Sequence, residues 1–115
     1  MTKFWNKLDE ILAVSEIIID RPKGSKHPKY PEFIYPLDYG YLKGTRSADD
    51  AEIDIWHGTR GDDIADAILC TIDVKKKDSE IKILIGCSDV DKKLILNFQN
   101  SSEYMAAILV ERDKR

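Results

Sequence analysis

The chain has 115 residues, 43% hydrophobic and 34% charged, with four prolines and six glycines, the balance of a folded globular protein rather than a disordered one. Its net charge of −3 offers no overall positive field to nucleic acid or an anionic membrane, and no run approaches the roughly 20 apolar residues of a membrane span. The length suits one domain with a real core and is short for two. The polar start "MTKFWNKLDEILAV" lacks the uninterrupted apolar core of a secretory signal, so a cytoplasmic location without membrane association is expected.

In chain order, residues 3–13 place Phe4, Trp5, Leu8, Ile11 and Leu12 at helical spacing, which predicts an amphipathic helix. The β-branched run Ile17 to Ile19 predicts a buried strand. Three prolines and a glycine make residues 20–32 a loop, studded with Lys23, Lys26 and Lys29. Next, "FIYPLDYGYLKG" reads as an extended segment in which alternation puts Tyr35, Leu37, Tyr39 and Tyr41 on one side. An acidic turn, "DDAEID", leads into a short strand, and two apolar runs flanking the polar turn Lys75 to Glu80 predict a hairpin. "KLILNF" is expected to be another strand, and residues 101–112, with Tyr104, Met105, Ile108 and Leu109 as the apolar stripe, a capped helix. The expected fold is α+β, mainly β with flanking helices: a barrel over about residues 14–99 between an N-terminal and a C-terminal helix.

Cys70 and Cys87 form no C-x-x-C pair and read as buried reduced thiols on strands. His27 and His57 lack the paired spacing of a zinc site; the former reads as a loop residue and the latter as a strand end. No Walker phosphate loop, dinucleotide fingerprint or nucleophile elbow occurs.

Three charged groups remain. Asp49 stands in a turn, while Glu52 and Asp54, two apart on a strand, point to one side; such carboxylates repel unless solvated or neutralised by a cation. Asp89, Asp91 and Lys93 alternate onto one face if that segment is extended. Lys26 and Lys29 can meet phosphate as point charges. Taken singly, each group also reads as solvated surface.

The order "IDRPKGSKHPKY", "YPLDYGYLKGT", "DDAEID" and "DVDKKL" resembles the soluble, magnesium-dependent family I inorganic pyrophosphatases over about residues 14–96. The resemblance implies a small OB-like five-stranded barrel with helices outside, and hydrolysis of inorganic pyrophosphate. It also implies that Lys29 and Lys93 contact phosphate, with Lys26 nearby, and that Tyr39 donates its hydroxyl to phosphate or water. Tyr35 would line the site, Asp49, Asp54 and Asp91 would ligate Mg2+ with Glu52 as a further candidate ligand, and Asp20 would lie nearby. Lys29, Tyr39 and Asp54 are the expected catalytic groups.

Departures accompany the matches. A family aspartate falls at Ala51 and another at Gly86, a carboxylate after Lys29 has become Pro31, an arginine-bearing segment is shortened away, and the chain stops before a C-terminal tyrosine-lysine pair. An impaired module that binds a phosphorylated ligand without turnover is therefore the second hypothesis. A third, an OB-type nucleic-acid binder stacking bases on Tyr35, Tyr39 and Tyr41, is opposed by the negative charge. Whether a homo-oligomer completes the site is left open.

Overall fold

A computed structural model describes residues 2–112. Helix α1 (Thr2–Ala13) precedes strands β1 (Glu16–Arg21), β2 (Asp38–Lys43), β3 (Ile53–His57), β4 (Ala65–Asp73) and β5 (Asp78–Ile85). Helix α2 (Asp89–Gln99) and strand β6 (Met105–Glu111) complete the described chain. The six strands form one sheet in the order β1-β2-β3-β5-β4-β6. All neighbours are antiparallel except β3 and β5, which run parallel.

The protein is thus mainly β with two helices, as expected, but the C-terminal third exchanges its elements. Residues 93–98, expected as a strand, lie in α2; the predicted helix over 101–112 is instead β6, and the sheet has six strands rather than five. For α2, the reason is local. Ser88 Oγ accepts from the Asp91 N–H and the Asp91 carboxylate accepts from the Ser88 N–H, a reciprocal capping box that starts a helix where alternating charges suggested a strand. The helix then buries Asp91, Ile95 and Gln99, spaced four apart on one face.

The reason for β6 is non-local. Alternation and helical periodicity both fit "MAAILVE", and β4 decides by pairing with it from Asp73↔Met105 to Ala67↔Glu111. Asn100, the C-cap residue of α2, reinforces the strand: its side-chain oxygen accepts from the Ala107 N–H at 3.0 Å and its Nδ2 donates to the Ala107 carbonyl at 3.2 Å.

Each sheet face carries one helix. Helix α1 inserts Trp5 and Leu8 against Leu42, Ile55, Ala65, Ile68, Ile83 and Ile85. The opposite face holds Tyr35, Leu37, Tyr39, Trp56, Leu69 and Leu84, against which α2 packs Ile95, Leu96 and Phe98. The aromatic segment is less regular than predicted, since β2 begins only at Asp38, and residues 33–37 join the preceding loop through a bridge between Lys26 and Ile34. Cys70 is half-buried on β4; Cys87 is buried just beyond β5, and both thiols are free. Burial pushes the Cys87 thiol up to about 12, which leaves it protonated and unreactive near neutrality.

Two glycines set backbone approaches. Gly86, expected as a position where an aspartate was lost, has φ +61°, and an added Cβ there would lie 2.3 Å from the Asp62 carbonyl oxygen. Packing therefore demands glycine at this position. At Gly40 an added Cβ would lie 1.7 Å from the Ile18 carbonyl oxygen, so β1 and β2 pair only because β2 has no side chain at this point. Gly40→Ala is expected to lower unfolding stability by roughly 2 kcal/mol or more through strand displacement; thermal and urea denaturation against wild type would show it, and an unchanged midpoint would contradict the packing argument.

Candidate functional site

The face that α2 only partly covers is polar towards one end, and strand register explains which side chains gather there. On β2 and β3, Tyr39 opposes Trp56 and Tyr41 opposes Asp54. Parallel pairing sets Trp56 beside Leu84 of β5, so two residues earlier on each strand Asp54 and Lys82 share that face. On β4 and β5, Lys82 opposes Leu69, Glu80 opposes Thr71, and Asp78 opposes Asp73.

The centre is the Lys82 ammonium, in a residue only 5% exposed. It donates to the Tyr39 hydroxyl oxygen at 2.8 Å, Asp54 Oδ2 at 3.0 Å and Glu80 Oε2 at 2.9 Å, which uses all three of its protons. The Tyr39 hydroxyl donates in turn to Asp54 Oδ2 at 2.8 Å. Burial by itself draws the Lys82 pKa down, but the neighbouring Tyr39, Asp54 and Glu80 outweigh it and the net shift is upward. Burial raises the Tyr39 pKa, a shift Lys82 opposes and Asp54 reinforces. Near neutrality Lys82 is therefore charged and Tyr39 protonated. Asp54 and Glu80 keep about a third of their side-chain surface open, at 34% and 28%, so the cluster has one wet side.

Arg21 of β1 extends this polar end. Its guanidinium donates to the Tyr35 hydroxyl and lies 5.6 Å from the Tyr35 ring centroid and 5.7 Å from that of Tyr39, a cation stacked on aromatic faces. Asp73 and Asp78 face each other at the hairpin end. Like charges so placed repel, although Asp73 Oδ1 is satisfied by the Lys75 and Lys76 N–H groups at 2.9 and 3.0 Å. On the opposite, α1 side of the sheet, an open groove of about 960 Å³ is lined by Phe4, Leu8, Ile68, Ile72, Ile81 and Ile108, and Asp49, Glu52, Asp54, Asp78 and Glu80 border it.

The predicted site residues divide. Tyr39 and Asp54 come together as expected, and Tyr35 packs 5.3 Å from Tyr39, centroid to centroid. Asp49 lies on the groove rim, where Ser47 Oγ and the Ala51 N–H both donate to its Oδ1; the hydrogen bond from Ser47 holds its pKa below the ordinary carboxylate value. Ala51 is thus a backbone member of this turn. Glu52 Oε2 accepts from the Gly44 N–H at 3.3 Å.

Asp91 is placed elsewhere. It is 3% exposed, and its carboxylate accepts from the Thr59 N–H at 2.8 Å, from the Thr59 hydroxyl at 2.9 Å and from the Ser88 N–H at 3.0 Å. Thr59 follows the far end of β3, five residues beyond Asp54, or roughly 16 Å along an extended strand. The trio Asp49, Asp54 and Asp91 therefore does not converge, because the capping box commits Asp91 to the start of α2. Lys93 is exposed on α2, while Lys26 and Lys29 are exposed in the loop before β2 and Asp20 is exposed on β1.

Lys82, Glu80, Asp78, Asp73 and Arg21 were absent from the predicted set. The available signal was the i, i+2, i+4 charge alternation of Asp78, Glu80 and Lys82, which reads as a polar turn beside "VKKK" until the strand start is known.

No protein-family model matches the chain, and no curated protein matches its sequence. Among solved structures, an inorganic pyrophosphatase from Coxiella burnetii superimposes with a TM-score of 0.58 over 83% of this chain and 84% of that one, at 15% identity. What the two share is the fold. The chain therefore has a pyrophosphatase-like α+β fold, and among its described residues no helix is long and apolar enough to cross a membrane.

Two variants test these assignments. Asp91→Ala removes a cap and a buried acceptor and is expected to cost about 1–2 kcal/mol in urea denaturation; an unchanged midpoint would contradict the capping role. Burial alone would raise the Asp91 pKa, but the Thr59 and Ser88 hydrogen bonds outweigh it and the net shift is downward. Its contribution is therefore full above the unfolded carboxylate value and lost as pH falls through the lower folded one, so acid titration should narrow the gap between Asp91→Ala and wild type. Tyr39→Phe deletes one acceptor of the buried Lys82 and is expected to cost roughly 1–3 kcal/mol in urea denaturation; a neutral result would contradict the described network.

Proposed function

We propose that this protein hydrolyses inorganic pyrophosphate, or a closely similar small phosphoanhydride, with magnesium. The observation that carries the reading is the Lys82-centred set of Tyr39, Asp54 and Glu80, with Asp73 and Asp78 on the same sheet face, in a pyrophosphatase-like fold. Carboxylates outnumber cations here, so a bare pyrophosphate anion would be repelled. Binding such an anion calls for accompanying cations.

The donor chemistry suits magnesium, which prefers hard oxygens and commonly takes one or two carboxylates, waters and substrate phosphates. Among the described residues no three His, Cys, Asp or Glu side chains converge as a metal-holding group, which leaves substrate oxygens to complete a coordination sphere. Asp49, Asp54 and Asp78 on the groove rim are the side chains proposed to hold the ion, and Glu52 is a reserve ligand. When bound with substrate, magnesium supplies charge neutralisation and polarisation of the phosphoryl oxygens.

The chain's own residues do the positioning. Lys82 fixes the Asp54 carboxylate and the Tyr39 oxygen. Arg21 presents a permanent positive charge beside Tyr35 and Tyr39, and Lys26 and Lys29 are proposed to meet phosphate from their exposed loop. The net reaction adds water across one P–O–P linkage and releases two phosphates.

A second reading, ligand binding without turnover, is favoured by one observation: Lys82 already spends all three protons on protein acceptors and has none for the transition state. Purified protein with pyrophosphate and magnesium is expected to release phosphate, with Asp54→Asn reducing the rate on the order of 10²-fold. Calorimetric binding of magnesium pyrophosphate with no release above Asp54→Asn would establish the second reading; neither binding nor release would remove both.

A further inference from the structure

We propose that Lys82 is a built-in counter-ion, occupying a position in which its partners would otherwise hold a divalent cation, and that it limits how many cations this face takes. The proposal builds on the reading of this face as the ligand site, but its test involves no hydrolysis.

The Lys82 ammonium has the partners of a hard cation. Its three neighbours are all oxygens, two of them from carboxylates, at 2.8, 3.0 and 2.9 Å, and they come from three different strands, β2, β3 and β5. Tyr39 and Asp54 also bond each other, so two of the three oxygens are held together by more than the lysine. The residue is 5% exposed, whereas Asp54 and Glu80 each keep a partly open side. A small ion can thus approach the position from the partly open side of these two carboxylates.

An ammonium and a divalent ion cannot share that position. With the ammonium present, one positive charge faces two carboxylates, which is enough to keep the face folded without metal. With it removed, two carboxylates and a phenol oxygen face one another, and burial of such a set without a cation is strongly destabilising. Ion size makes a further distinction. Calcium–oxygen distances of about 2.3–2.6 Å require each oxygen to move in by only a few tenths of an ångström, whereas magnesium at about 2.0–2.1 Å requires roughly 0.8 Å. Calcium should fit the vacated position with less rearrangement.

The test uses Lys82→Met, which keeps the length and removes the charge, with thermal unfolding followed by circular dichroism in EDTA and in millimolar calcium or magnesium. In EDTA the variant is expected to melt roughly 10 °C or more below wild type. Calcium should restore at least half of that loss, magnesium less, and neither should move wild type comparably. Lys82→Met with Glu80→Gln removes one of the two carboxylates and should lose most of the calcium response while remaining folded in EDTA. The proposal is overturned if Lys82→Met responds to calcium no more than wild type, if it stays unfolded in calcium, or if the double variant keeps the full response. Because the readout is a melting temperature, absence of pyrophosphate hydrolysis would leave this result standing on its own.

Discussion

A buried ammonium that touches three strands organises this molecule. Lys82 reaches Tyr39 on β2 and Asp54 on β3 from its own place on β5, so it ties the antiparallel half of the sheet to the parallel pair at the centre. Burial of an unpaired lysine charge is costly, and the arrangement is tolerable only because three oxygens meet its three protons. That requirement constrains everything around it: Tyr39 must stay protonated to bond Asp54, Glu80 must point to the same face, and β3 and β5 must keep their register. Slipping either strand by one residue would turn its charged group to the α1 side.

The rest of the sheet separates structural from chemical duties. On the α1 side Trp5 and Leu8 cover isoleucines and a leucine, while Ile72, Ile81 and Ile108 beyond the helix stay exposed along the groove. The α2 side is apolar only where the helix reaches, with Tyr35, Trp56 and Phe98 as interlocking rings. Beyond the helix the face becomes a row of carboxylates beside Lys82 and Arg21. Aromatic packing under the helix and the polar cluster beyond it place Tyr39 at the boundary, its ring in the core and its hydroxyl among Lys82 and Asp54.

Asp91 shows how one residue type serves either duty. Like Asp54 it accepts several hydrogen bonds, but its donors are Thr59 and the Ser88 amide at a helix start. No donor there needs a metal. The Asp54 cluster differs because its carboxylates exceed the cation that joins them, which leaves negative charge on its partly exposed side.

Much of this was legible in the sequence because it is local. The periodicity of Trp5, Leu8 and Leu12 is enough to define α1, the β-branched runs around Lys75 to Glu80 define the hairpin, and "YPLDYGY" marks Tyr39 before any contact is known. Local patterns also misled where two periods fit equally well. The segment after Ser88 alternates in charge, yet the capping box makes it a helix; residues 105–111 carry a helical stripe, yet the open edge of β4 makes them a strand. The composition, the N-terminal helix and the mainly β character follow from the sequence by itself, since each depends on residues within about one turn or strand of one another, while the candidate tyrosine and aspartate were marked by the order of motifs that resembles the pyrophosphatases. The pairing of Lys82 with Asp54, 28 residues away, and the diversion of Asp91 to a cap were decided by tertiary structure alone, because whether two charges meet depends on strand order and register.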